Sequence, residues 1–182
     1  MHTEPRLVVI TGGPGTGKTT LLHALAAHYP VQPEAGRAII DDQHLLDGPA
    51  LPWRDRERYA ELMLAHDLRS HHDARRSATT TFFDRGIPDI IGYLRLSGLP
   101  VPAHLTEAAR RFTYHRRVLI TPDWPEIYRQ DHQRLQTAEE SARTRAHLAA
   151  AYTDLGYELV ELPRADVPTR AHLARTTAGL HT

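Results

Sequence analysis

Cysteine is absent from the 182-residue chain, which excludes disulfides and thiolate chemistry and fits a reducing cytosol. Long apolar runs are also missing. No stretch approaches the ~20 residues of a membrane span, and Met1-His2-Thr3-Glu4-Pro5 has no signal-peptide core. A soluble, cytoplasmic protein without a membrane partner is therefore expected. The formal net charge is zero, which argues against a nucleic-acid binder that works through a broad basic surface. Histidine is plentiful at 13 residues, yet no H-x-x-x-H or H-E-x-x-H pair occurs, so these side chains are expected to be solvated or packed rather than metal-bound. At this length one domain, spanning residues 1–182, is the expectation.

The scarcest residue present is lysine. Of the 22 lysine and arginine residues only Lys18 is a lysine. The arginine and alanine bias looks like that of a GC-rich bacterial genome, which explains the scarcity but not the survivor. Lys18 sits in Gly12-Gly13-Pro14-Gly15-Thr16-Gly17-Lys18-Thr19, a match to G-x-x-x-x-G-K-[ST] at each fixed position. From this composition a chance match is expected on the order of once in two thousand such chains. The context agrees: Arg6 to Thr11 is a short β-branched run, and Thr20 to Tyr29 is rich in leucine and alanine, as a strand and a helix flanking such a loop should be.

The chemistry of the loop explains why lysine persists there. Backbone N–H groups that wrap a phosphate leave room for a thin stem ending in a compact charge, whereas guanidinium is a wide planar fork. Glycines let the amides turn inward, and the following helix begins at the phosphates with its positive dipole end. Gly13, Pro14, Gly15, Thr16, Gly17, Lys18, Thr19 and Thr20 are therefore the expected nucleotide-binding residues, with the Thr19 hydroxyl offered to Mg²⁺.

Beyond the loop, Val31 to Ala35 reads as a second strand and Trp53 to Ser77 as a long polar helix whose stripe is Tyr59, Leu62, Met63 and His66. Thr79 to Phe83 predicts a third strand ending in Asp84-Arg85-Gly86, Ile87 to Leu96 a helix closed by Gly98, and Pro102 to Thr113 another. Arg117 to Thr121 is a fourth strand. Asp123 with Glu126 signals a helix start, and Thr137 with Glu140 a second one, after a break near Gln133 to Gln136. Leu148, Ala151, Tyr152 and Leu155 form the stripe of that helix, Gly156 ends it, Tyr157 to Leu162 is a fifth strand, and a last helix starts at Pro168. Five strands separated by helices imply an α/β fold on a parallel sheet.

Ligands of such sheets bind beyond the carboxyl ends of the strands, so polar residues there are the candidates. Asp84 stands where a carboxylate would hold Mg²⁺ through water or receive the proton of an attacking hydroxyl. Arg85 beside it is placed to orient an anionic group. Glu34 and Arg37 follow the second strand, on the side where an acceptor would lie. The charged segment Arg129 to Arg134 follows the fourth strand, and Arg134 is the arginine expected to close on the phosphates. Arg164-Ala165-Asp166 follows the fifth.

With the phosphate loop, Pro33-Glu34-Ala35-Gly36-Arg37, Phe83-Asp84-Arg85-Gly86-Ile87-Pro88-Asp89, Asp131-x-x-Arg134 and Gly156 to Pro163 in this order, the chain resembles small bacterial AAA-type predicted ATPases. These look like the nucleoside and nucleotide kinase branch of phosphate-loop proteins, including nicotinamide riboside kinase domains. The resemblance implies a three-layer αβα P-loop NTPase sandwich with strand order 2-3-1-4-5, an acceptor-side helical segment at about 38–77 and a lid at about 125–137. It also implies adenine near Arg134 and the loop from Pro163 to Val167, Arg164 included. Family members often carry a second basic residue after the lid arginine; here Leu135 follows Arg134.

The function expected is an ATP- and Mg²⁺-dependent kinase acting on a hydroxyl of a small molecule such as a nucleoside, a sugar-like or an antibiotic-type alcohol. Lys18, Asp84, Arg85, Arg134 and Glu34 are its candidate catalytic residues, with Glu34, Arg37, Asp84 and Arg85 facing the acceptor. A monomer or homodimer is expected. The competing reading is a regulatory binding module or slow ATPase that acts on a protein partner. A GTPase is disfavoured because no N-K-x-D signature is present.

Overall fold

The computed structural model describes residues 6–77, 79–124 and 138–180. Five parallel strands, β1 (Leu7–Thr11), β2 (Val31–Gln32), β3 (Thr81–Asp84), β4 (Arg117–Ile120) and β5 (Glu158–Glu161), form one sheet in the order β2-β3-β1-β4-β5. All five residues of β1 are buried, as a strand with partners on both edges and helices on both faces must be.

Alternation along β1 divides the interior into two cores. Leu7 and Val9 join Phe83 and Val118 under α3 (Arg56–Arg76), α4 (Ile87–Leu96), α5 (Ala103–Arg111) and α6 (Ala138–Asp154). Val8 and Ile10 join Phe82 and Leu119 under α1 (Lys18–Ala26) and α7 (Val167–Thr177). The helix α2 (Ala35–Leu45) packs against α3 around Ala35, Ile39 and Tyr59. Each fully buried Val, Leu, Ile or Phe is worth roughly 1.5–3 kcal/mol, so the sheet faces supply most of the cohesion and fix the register.

That register places the functional end. Ile10 pairs with Asp84 on one side and Leu119 on the other, so β1, β3 and β4 finish level with one another. The chain leaving β1 turns into the glycine loop, and the Arg85 amide donates to the Ile10 carbonyl at 3.1 Å.

Three sequence expectations need correction. The second strand stops at Gln32 rather than Ala35, because Pro33 has no N–H to continue a ladder and Glu34 caps α2. The long helix starts at Arg56, three residues after Trp53, because the Asp55 side chain accepts from the Arg58 amide at 3.0 Å. Its buried stripe is Tyr59, Ala60, Leu64, Ser70, His71 and Ala74, whereas Leu62 is exposed. His71 is a packing residue, its ring edge-on to Phe112 and Tyr114. The signals at Glu126 and Thr137, and the lid segment with Arg134, lie outside the described residues. No helix among the described residues is long and apolar enough to cross a membrane.

At Gly92 α4 lies close against α6. A Cβ on Gly92 would stand 2.7 Å from Leu148 Cδ2, 3.0 Å from Leu148 Cα and 3.1 Å from the His147 carbonyl, two of which are backbone atoms that cannot swing away. Gly92→Ala is therefore expected to destabilise the fold by roughly 1–3 kcal/mol despite alanine's better helix propensity. Chemical denaturation checks this; an unchanged or raised midpoint would show that α4 and α6 separate freely.

Candidate functional site

The glycine loop is held from three directions. Gly15 and Gly17 have φ of 72° and 80°, so they supply the left-handed turns. Gly12 has φ of 135°, and a Cβ there would fall 1.9 Å from Thr121 Oγ1. The Thr16 hydroxyl donates to the Gly13 carbonyl at 2.8 Å and lies 2.6 Å from Thr121 Oγ1, which ties the loop to the end of β4. Ser141 of α6 donates to the Pro14 carbonyl at 3.0 Å. From α7, the buried Arg170 donates to the carbonyls of Thr16 at 3.2 Å and Gly17 at 3.5 Å, with its guanidinium 5.6 Å from the centre of the Trp124 ring.

Lys18 opens α1, and Gly17 caps that helix with no side-chain hydrogen bond, so the first-turn amides face the cleft unencumbered. The Lys18 ammonium donates to the carbonyls of Gly12 at 3.2 Å and Gly13 at 2.8 Å. Burial, reinforced by the Arg85 guanidinium, lowers its pKa to about 8 against the opposing pull of Asp84, Glu34 and Asp89.

Opposite Lys18 stands the tip after β3. Arg85 has φ of 72°, a left-handed conformation that costs a non-glycine residue on the order of 1–2 kcal/mol. What holds it there is its side chain, with Nε 3.2 Å from Glu34 Oε1 and Nη1 3.1 Å from Asp89 Oδ1. Hydrogen bonds to charged groups contribute ≈1.5–3 kcal/mol each, enough to offset the backbone cost. Asp89 also accepts from the Gly86 amide at 2.9 Å, the Tyr152 hydroxyl at 2.6 Å and the Thr11 hydroxyl.

The carboxylates differ in character. Burial would raise Glu34, but Arg85, Lys18 and Arg37 outweigh it and hold its carboxyl below the usual range. Burial pushes Asp84 up, and Lys18 only partly offsets this. Asp84 Oδ1 is buried and has no hydrogen-bond partner among the described residues.

These groups line one cleft of about 1020 Å³, at the upper end of the range for small-molecule sites. Pro14 to Thr20 line it together with Glu34, Arg37, Asp84 and Arg85 and with the aromatic and apolar side chains of Trp53, Tyr59, Met63 and Tyr93. Arg164 and Val167 do not line it. Sequence reasoning assigned no site role to Thr121 or Arg170 and read Tyr152 only as part of an apolar helix stripe. For Asp89 a signal existed, an acid three residues after Gly86 at a helix start.

A phosphate loop, a strand-end carboxylate beside it and a five-stranded parallel sheet of order 2-3-1-4-5 are now in place, and the family follows from its sequence model. The chain belongs to the AAA_28 family of AAA domains. The match runs over residues 7–170. No curated protein matches the chain. Among solved structures, a NadR protein in complex with NR superposes with a TM-score of 0.68 at 19% identity, covering 99% of this chain and 53% of that one. A NadR protein in complex with NAD and AMP-PNP gives 0.65 at 18% identity, over 100% and 51%. This AAA_28 chain thus spans about half the length of the NadR chains. Thymidylate kinase from Ehrlichia chaffeensis gives 0.63 at 14% identity, over 96% and 98%. At these identities the likeness shows the fold, that of nucleotide-kinase-like P-loop proteins.

Two outcomes follow from Lys18. Lys18 is 7% exposed and its ammonium fits between two loop carbonyls, so Lys18→Arg is expected to weaken ATP binding nearly as much as Lys18→Ala. Retention of most of the affinity by the arginine variant, measured by calorimetry, would contradict the size argument. Because a phosphate needs the charged ammonium, ATP affinity should fall as pH rises through about 8, by on the order of tenfold between pH 7.5 and 9. The same depressed pKa makes the unfolded chain bind more protons between about 8 and 10.5, so the ligand-free fold gains stability over that window while affinity falls. A flat affinity profile would place the Lys18 titration elsewhere.

Proposed function

We propose that this AAA_28 chain is a phosphotransferase that moves the γ-phosphoryl of ATP to a hydroxyl of a small molecule. The observation that carries the reading is Asp84, whose buried Oδ1 has no hydrogen-bond partner among the described residues and which lines one cleft together with the phosphate loop and with Tyr59 and Tyr93. A slow ATPase needs the loop but has no use for that aromatic surface.

The residues present fit ATP and Mg²⁺. The uncapped start of α1 and the left-handed glycines offer inward amides to phosphates, and Thr19 with Asp84 would hold the metal. Bound there, Mg²⁺ would neutralise charge developing on the phosphate oxygens. Lys18 supplies a point charge at the loop. On the acceptor side Arg85, Lys18 and Arg37 hold Glu34 ionised, and either Glu34 or, where it does not hold the metal, Asp84 would receive the proton of the attacking hydroxyl. Arg85, neutralised by Glu34 and Asp89, contributes fixed N–H donors rather than net charge.

Incubation with Mg²⁺-ATP and a panel of nucleosides, sugars and aminoglycoside-like alcohols, followed by mass spectrometry, tests the reading. One alcohol should gain a single phosphoryl group in step with ADP formation, and Asp84→Asn should cut that transfer at least about a hundredfold. If no hydroxyl compound is modified while a protein partner changes ATP turnover, the chain is a regulatory ATPase instead.

A further inference from the structure

The face that α3 turns to the cleft has a pattern of its own. Tyr59, Met63 and Asp67 recur every four residues, so they form one stripe along the helix, and all three line the cleft. Tyr93 of α4 lines it too and meets Tyr59 edge to face, with ring centres 5.6 Å apart. The stripe therefore runs from aromatic through thioether to acid, and its acid has no part in holding the nucleotide or the metal.

Asp67 differs from the carboxylates around it in its company. Glu34 and Asp89 share the Arg85 guanidinium, Arg37 adds to Glu34, and Lys18 acts on Asp84. Asp67 forms no ion pair with an arginine or lysine among the described residues. Its ion-pair partner there is His66, whose Nδ1 lies 3.7 Å away, beyond hydrogen-bond distance, and is itself buried without a hydrogen-bond partner. The Asp67 side chain is only 14% exposed. Burial, joined by the charges of Asp89 and Glu34, pushes its carboxyl up against the pull of His66.

The remaining guanidiniums of the cleft stand elsewhere. Arg56 precedes Asp67 by eleven residues of α3, about 16 Å along the axis, and donates Nε to the Pro52 carbonyl at 3.0 Å. Arg143 is exposed, and it follows by two residues Ser141, whose hydroxyl donates to Pro14 of the phosphate loop. It is therefore a cation for the nucleotide end. A carboxylate withdrawn from water without a fixed counter-charge is stabilised by a positive charge that the ligand brings. A metal ion would need several oxygen ligands, whereas Tyr59, Met63 and Tyr93 offer rings and a thioether. An ammonium on a carbon skeleton uses both surfaces: the carboxylate takes its N–H groups, and the rings take its charge and its methylenes.

We propose that Asp67 is a cation subsite that receives a protonated amine, and hence that the acceptor is an amine-bearing alcohol whose carbon skeleton lies against Tyr59 and Tyr93. This rests on the phosphotransferase reading for calling the ligand an acceptor, but not for its binding. The protein, loaded with Mg²⁺ and a non-hydrolysable ATP analogue at neutral pH, is titrated calorimetrically with glucosamine, 5-aminopentan-1-ol, phenylalaninol and kanamycin. Each is paired with its N-acetylated derivative, which keeps the skeleton and loses the charge, and adenosine serves as an uncharged alcohol. At least one amine should bind, with its acetylated partner at least about thirtyfold weaker. In Asp67→Asn that ratio should fall at least about tenfold through loss of amine affinity alone, and Asp67→Glu should restore part of it, with thermal melting confirming that both variants fold. Asp67→Ser takes the place of a variant that does not fold. No amine binding, equal binding of the acetylated partners, or adenosine bound while the amines are inert overturns the proposal. So does an equal loss for both members of a pair in Asp67→Asn, which is what a carboxylate that merely supports the fold would give. Amine binding without phosphoryl transfer would support this subsite while sinking the phosphotransferase reading. Transfer to a neutral alcohol with the amines inert would do the reverse.

Discussion

The buried carboxylate of Asp89 is the constraint on which the working end of this fold depends. It sits at the start of α4, 5% exposed, and gathers donors from the end of β1 (Thr11), the tip after β3 (Arg85 and Gly86) and α6 (Tyr152). A buried carboxylate without partners is untenable, so the four donors and the acceptor stabilise one another only when all the elements are in register. The sheet brings the strand ends level, and Asp89 keeps the structures that emerge from them at fixed distances. Burial and Asp89 raise the Tyr152 hydroxyl well above its ordinary pKa, so it remains a donor throughout the physiological range.

From that anchor the site follows as a chain of charge assignments. Asp89 holds Arg85 in a left-handed backbone that a non-glycine residue rarely adopts, and Arg85 then holds Glu34 across the cleft from the start of α2. The result is a neutralised cluster beside Lys18 rather than a bare patch of either sign. Within it the two carboxylates diverge, Glu34 kept ionised by Arg85 and Asp84 raised by burial, its Oδ1 without a hydrogen-bond partner among the described residues. Pairs of acids driven apart by their surroundings mark places where one does chemistry and the other sets the field.

How much of this was legible in the chain depends on the range of each signal. The phosphate loop, the β-branched runs and the helix from Ile87 to Leu96 are local, encoded by neighbours a few residues apart, and the structure reproduces the sheet order that the resemblance implied. Glu34 and Asp84 were readable as polar residues at strand ends. Their difference was not, because it arises from Arg85 reaching Glu34 across 51 residues of sequence and from the burial of Asp84 in the folded cleft. The errors share a cause. Extending β2 to Ala35 ignored what Pro33 does to a ladder, and placing Leu62 inside assumed that an apolar side chain at helical spacing must face the core, although α3 borders the cleft and solvent as well as the sheet.

Arg170 shows the limit of reading by motif. No pattern distinguishes it from the other arginines, yet it is 2% exposed and donates to two carbonyls on the outside of the phosphate loop. A loop that presents its N–H groups to phosphate turns carbonyls outward, and those carbonyls also need donors. Lys18 serves Gly12 and Gly13, Ser141 serves Pro14, and Arg170 serves Thr16 and Gly17. A phosphate that drew the Lys18 ammonium away from its two carbonyls would leave the carbonyls of Pro14, Thr16 and Gly17 with their partners. The loop can therefore exchange one set of hydrogen bonds for another without losing its shape, which is what preorganisation toward a multiply charged ligand requires.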